Sequence, residues 1–177
     1  KRSCSIKTIN QTKNSPNDGL FSSFQGNMTK KIFVGNVPVG GGERVKIQSM
    51  TTAKTSDVPA VLKQINALAN AGCDIVRVAV PDEAAARAVR EIKAASPLPV
   101  VADIHFSARL AVLAIENGAD KVRINPGNIG GEDKIALVAD CVKAHRIPVR
   151  VGANTGSIEK GFLEKYGKNE FSLVESA

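Results

Sequence analysis

Eight polar residues sit on or at the ends of five short apolar segments: Gln48, Arg77, Asp103, His105, Arg123, Asn125, Arg150 and Asn154. Side chains alternate along a strand, so these residues share one face within each segment. The opposite face carries Val45 and Ile47, Val76 to Val80, Val100 to Ile104, Val122 and Ile124, and Val149 and Val151 at every second position. Arg77, Arg123 and Arg150 therefore face one cavity, with Asp103 the only carboxylate among them. Leaving a buried charge unpaired is strongly destabilising. Either Asp103 takes one arginine and acids from elsewhere take the others, or a polyanionic ligand balances them. A guanidinium matches phosphate bidentately, where lysine acts as a point charge.

His105 suits a general acid or a phosphate donor, or a structural histidine satisfied by its neighbours. It shares the parity of Asp103 at a strand's C-terminal end, and the two form the candidate catalytic pair. Asn125 and Asn154 suit turns; at the parity of Arg123 and Arg150 they also suit ligand contact. Gly127-Asn-Ile-Gly-Gly131 leads into a helix start and either offers backbone N–H groups to a phosphate or is a plain βα turn.

The elements that must position these residues recur regularly. Strands are expected at 45–50, 75–80, 99–105, 121–125 and 148–154, with starts 22 to 30 residues apart. Helical patterns lie between them. Pro59 opens one that Gly72 stops; Asp82 opens an Ala-rich one; Ser107 caps a third that Gly118 ends. Gly131 or Glu132 begins a fourth, Ser157 caps a fifth, and Asn169 starts a sixth. Such βα alternation implies a parallel sheet. A doubly wound sheet needs two apolar faces, whereas a (β/α)8 barrel gathers polar residues at the C-terminal mouth of its lumen. The expected fold is α/β: the N-terminal part, about five βα units, of a TIM-type barrel. A small hairpin turning at Gly35-Asn36 precedes it as a lid. Gly72-Cys-Asp-Ile-Val-Arg-Val78 echoes Gly118-Ala-Asp-Lys-Val-Arg-Ile124, which implies similar local geometry.

The net charge of +7 is carried mostly by residues 1–31, which hold +5. A basic tail on a near-neutral body, with no recognition motif, argues against nucleic-acid binding. No run reaches the ~18–20 apolar residues of a membrane helix. Residues 1–27 read as disordered: a vector-derived or read-through tail, the product of a truncated gene, or part of a transit peptide. The expected location is a bacterial cytoplasm, or a plastid if the tail belongs to a transit peptide. Cys4, Cys73 and Cys141 lack metal-ligand spacing.

Val34-Gly-Asn-Val-Pro-Val-Gly40, Ile47-Gln-Ser-Met-Thr51, Val76-Arg-Val-Ala-Val-Pro81, Val101-Ala-Asp-Ile-His-Phe106, Arg123-Ile-Asn-Pro-Gly-Asn-Ile-Gly130 and Val149-Arg-Val-Gly-Ala-Asn154 follow one another in order. Together they resemble the 4-hydroxy-3-methylbut-2-en-1-yl diphosphate synthases of the methylerythritol phosphate route to isoprenoids. The resemblance implies reductive ring opening of 2-C-methyl-D-erythritol 2,4-cyclodiphosphate with loss of water. It implies two electrons from reduced ferredoxin or flavodoxin, passed through a [4Fe–4S] cluster in a separate C-terminal domain. Residues 28–177 would be the substrate-binding barrel portion, with Arg77, His105, Arg123, Asn125, Arg150 and Asn154 holding the substrate. The full-length enzyme would be a homodimer in which one subunit's barrel faces its partner's cluster domain.

Five strand candidates fall short of the eight a barrel needs, and no cysteine here matches the family's cluster ligands. The chain is therefore expected to be a fragment, inactive alone. Two alternatives stay open: another phosphate-binding barrel, such as a dihydropteroate-synthase-like transferase, or a non-catalytic anion-binding module.

Overall fold

The computed structural model describes residues 29–152, 158 and 160–175. The tail 1–27 with Cys4, the cap expected at Ser157 and the site candidate Asn154 lie outside the described residues.

A hairpin comes first, β1 (Ile32–Val34) against β2 (Val37–Val39), with Val34 paired to Val37. Gly35 takes a φ of +58°, as a two-residue turn requires at its first position. Five parallel strands follow: β3 (Gln48–Met50), β4 (Ile75–Ala79), β5 (Val100–Asp103), β6 (Lys121–Ile124) and β7 (Val149–Val151). Their order in the sheet is their order in the chain. Without a reversal there is no topological switch point, so the winding is that of a barrel, not of a doubly wound sheet.

The intervening helices are α1 (Val58–Asn70), α2 (Glu83–Ala95), α3 (Ala108–Glu116), a single turn α4 (Pro126–Ile129) and α5 (Glu132–His145); α6 (Lys160–Tyr166) and α7 (Glu170–Glu175) end the chain. Asp57, Asp82 and Ser107 cap the first three, each side chain accepting a backbone N–H three residues on. Each such cap contributes about 1 kcal/mol. The helices bury Val61, Ile65, Val89, Ile92, Ala111 and Val138 against Val76, Val78, Val100, Ala102 and Val122 of the strands.

The opposite face divides along its length. At the strand starts Ile75 and Val101 are buried against Val34 of the hairpin. Gly35 abuts Pro99 and Asp120, which immediately precede β5 and β6. The expected lid is thus a plug at the N-terminal end of the strands, because β1–β2 finds its apolar surface there.

The repeated Gly-x-Asp segments have matching structures. After α1, Gly72 (φ +86°) donates to Ala69 and Cys73 to Leu68; after α3, Gly118 (φ +90°) donates to Ile115 and Ala119 to Ala114. These are paired Schellman closures. Asp74 then accepts the Ile47 N–H at 2.8 Å, and Asp120 accepts that of Val100 at 2.8 Å. A cation offsets each carboxylate, Arg44 for Asp74 and Lys93, at 2.8 Å, for Asp120. The Asp74 clamp also explains why the first strand starts at Gln48 and not at Val45, which is 89% exposed. Ile47 is held by the Asp74 side chain and by the Asp74 and Ile75 N–H groups, before the regular ladder begins.

Candidate functional site

Asp103 ends β5 on the lumen side and its side chain is only 4% exposed. Directly across the sheet in register stands Arg123 of β6, whose Nη1 lies 3.2 Å from Asp103 Oδ1. The other oxygen, Oδ2, lies 3.5 Å from Arg77 Nε of β4 and 3.4 Å from His105 Nε2. Four residues singled out in the sequence therefore converge: Arg77, Asp103, His105 and Arg123. One carboxylate serves two arginines, so the formal charge of the group stays positive before His105 is counted.

The arginine Nε of residue 77 has a second partner. Met50, at the end of β3, presents its Sδ at 3.2 Å. Met50 and Arg77 are paired in register, and Met50 shares the lumen parity of Gln48. The Nε edge of Arg77 is thus engaged by both Met50 and Asp103. Parity already put Met50 in the lumen; nothing in the sequence marks a thioether as an acceptor for arginine.

His105 lies just beyond β5, with its side chain 53% exposed and its ring edge-on to Phe106 at 5.9 Å. Asp103, His105 and Phe106 join Ala79, Val80 and Pro81 around a cavity of ≈130 Å³. Ligand sites generally measure ~300–1,000 Å³, so this cavity, with these residues as its wall, is smaller than a usual ligand site. The wall stands at the C-terminal strand ends, the catalytic end of a barrel. Behind it, Gln64 of α1 accepts the N–H groups of Thr52 (2.9 Å) and Ala53 (3.1 Å) and fixes the loop leaving β3.

Asn125 is buried and forms the N-cap of α4, its carbonyl accepting the N–H groups of Asn128 and Ile129. The glycine-rich segment expected as a turn is thus partly helical over Pro126–Ile129. Arg150 pairs in register with Arg123 but belongs to a second cavity of ≈550 Å³ lower in the lumen, together with Gln48, Ile75 and Lys121. Burial first, and the Arg150 charge second, push the Lys121 ammonium pKa below its usual 10.5. Arg150 is exposed and is not part of the Asp103 cluster.

The described thiols do not fit an iron–sulfur cluster. Cys73 Sγ lies 3.1 Å from the Ile75 carbonyl at the base of β4, while Cys141 lies on α5 beside His145. Among the described residues no group of three His, Cys, Asp or Glu side chains could hold a metal ion. No described helix is long and apolar enough to cross a membrane.

Residues 29–177 match the family described as the GcpE TIM-barrel domain. A flavodoxin-type 4-hydroxy-3-methylbut-2-en-1-yl diphosphate synthase of Caldicellulosiruptor saccharolyticus is 56% identical over 151 residues, covering 85% of this chain and 44% of that protein. The synthase of the same name from Anoxybacillus flavithermus is 55% identical over 150 residues, covering 84% and 41%. The chain spans less than half the length of these curated relatives. Among solved structures, a Xanthomonas albilineans dihydropteroate synthase aligns at 18% identity and a TM-score of 0.47, covering 63% of this chain and 47% of that one. That likeness is too loose to carry an argument.

Proposed function

The chain belongs to the GcpE TIM-barrel domain family, and from that premise we propose that it is the substrate-binding barrel portion of a 4-hydroxy-3-methylbut-2-en-1-yl diphosphate synthase. Its substrate is then 2-C-methyl-D-erythritol 2,4-cyclodiphosphate, opened reductively with loss of water. The observation that carries this reading is the Asp103 cluster, two guanidinium groups oriented at the barrel mouth by one buried carboxylate. Such a group keeps net positive charge for a diphosphate and holds it still before the ligand arrives. Preorganised charge of this kind contributes to catalysis because it requires no rearrangement during the reaction.

In this proposal Arg77 and Arg123 bind the phosphate oxygens, and Arg150, Asn125 and Asn154 add further substrate contacts. His105, at the cavity wall, donates the proton that lets the departing oxygen leave as water. Asp103 orients His105 and the two arginines. The two electrons come from reduced flavodoxin, or from ferredoxin in its place. A [4Fe–4S] cluster would supply the electron relay and would need ligands other than the described thiols, since Cys73 and Cys141 do not fit one. The full-length enzyme is a homodimer in a bacterial cytoplasm.

The test is calorimetric titration of the cyclodiphosphate into a full-length enzyme carrying this barrel segment. Arg123→Ala should weaken binding by about 2–5 kcal/mol, the cost of losing a buried charged contact. An affinity unchanged within error would end this assignment.

A further inference from the structure

A glycine usually marks a backbone conformation that other residues avoid, but Gly152 does not have one. It follows β7, donates its N–H to the Ile124 carbonyl at 2.9 Å, and its φ is not positive. What singles it out is the space above it. A Cβ added at Gly152 would stand 3.0 Å from Arg123 Nε, 3.1 Å from Nη2 and 3.4 Å from Cζ. The guanidinium of Arg123 therefore lies across the bare backbone of residue 152.

Arg123 has little room to retreat. Its Nη1 is tied to Asp103 Oδ1 at 3.2 Å, and Asp103 is nearly fully buried and shared with Arg77 and His105. Its own side chain is 21% exposed. The guanidinium is thus held on one side by the β5 carboxylate and seated on the other against β7. We infer that Gly152 is a positioning residue for substrate binding: the missing side chain at 152 sets where the Arg123 guanidinium lies. This rests on the proposed role of Arg123 in holding the diphosphate.

The geometry predicts a graded response. One methyl group requires Arg123 to yield by a few tenths of an ångström, whereas a β-branched side chain moves the guanidinium off its seat. Misplacement of a binding group by about 1 Å can cost ~100-fold. In the full-length enzyme, Gly152→Ala should raise the Kd and KM for the cyclodiphosphate about 3- to 10-fold, and Gly152→Val about 30- to 100-fold. The melting temperature should change little in the alanine variant, because the backbone conformation does not require glycine.

A double-mutant cycle separates positioning from general damage. In an Arg123→Ala background, Gly152→Val should add almost nothing, because the group it displaces is gone. An equal loss in both backgrounds, or a wild-type Kd in both Gly152 variants, would overturn the inference. If Arg123→Ala itself binds normally, the assignment of Arg123 fails, and the two failures are told apart. Should the valine variant unfold, the alanine variant and its cycle with Arg123→Ala decide alone.

Discussion

Asp103 and Arg123 stand directly opposite each other on β5 and β6, and their side chains meet at 3.2 Å. The second oxygen of the same carboxylate meets Arg77 and His105. Asp103→Asn keeps the shape and removes the charge that restrains all three. Two guanidinium groups would then share a largely buried space without a counter-charge. The expected loss is about 2–4 kcal/mol of unfolding free energy, below the ~3–5 of a fully buried pair because the arginines keep some solvent. Added pyrophosphate should recover more stability in the variant than in the parent, since it replaces the missing anion. Thermal unfolding with and without pyrophosphate checks this; equal shifts in both proteins would show that the arginines do not seek an anion.

Acid should loosen the Asp74 clamp at the base of the barrel. The Arg44 guanidinium, and after it the Ile47 N–H, hold the Asp74 carboxyl below its usual 3.8. A carboxyl depressed on folding contributes stability that is complete above its unfolded value and is lost as pH falls through its folded value. Stability should therefore stay level with respect to this group from neutrality down to about pH 4, then fall. Asp74→Asn should be less stable at pH 7 and should lack that part of the acid-induced loss. Denaturant titrations at several pH values give both curves, and parallel acid limbs would refute the assignment.

Arg146 should be improvable. It ends α5 with φ +54°, the only non-glycine residue with positive φ among the described residues, and donates to Lys143 while Ile147 donates to Val142. That is the closure made by Gly72 and Gly118 after α1 and α3. A left-handed conformation costs a residue with a Cβ about 1 kcal/mol relative to glycine. Arg146→Gly should raise stability by about 0.5–1 kcal/mol, less the gain in unfolded-chain entropy that glycine brings. A lower denaturation midpoint at constant slope would contradict this.

These helix ends show what was legible. Gly72 and Gly118 mark their helix stops because glycine is the usual residue for that conformation; Arg146 adopts it without any sign in its residue type. Strand parity placed Arg77, Asp103 and Arg123 on one face, since alternation is a local rule. It could not say that both arginines share one carboxylate, which depends on register between strands far apart in sequence. The Gly35 turn was readable, yet the hairpin's place at the barrel base was not, because contact of Val34 with Ile75 and Val101 is long-range. Pro126–Ile129 is too short to show helical periodicity.

His105 offers the sharpest division between chemistry and folding. Its side chain is half exposed and packs edge-on to Phe106, itself 71% exposed, so few buried contacts depend on it. Among the described residues its one polar partner is Asp103, at a long 3.4 Å, and Asp103 keeps both arginines without it. Removal should therefore leave the fold nearly intact. The same exposure leaves the imidazole at the cavity wall, where the proposed function has it meet the substrate. A positioned proton donor contributes roughly 10²–10⁴-fold to rate. In the full-length enzyme His105→Gln should lower kcat by about that factor, with substrate Kd changed less than about threefold. The melting temperature should stay within about 2 °C, because surface changes of this kind usually cost under ~0.5 kcal/mol. Steady-state rates, substrate titration and thermal unfolding on one preparation give all three numbers. A normal kcat with a large loss of melting temperature would make His105 a structural residue and return the proton to another group.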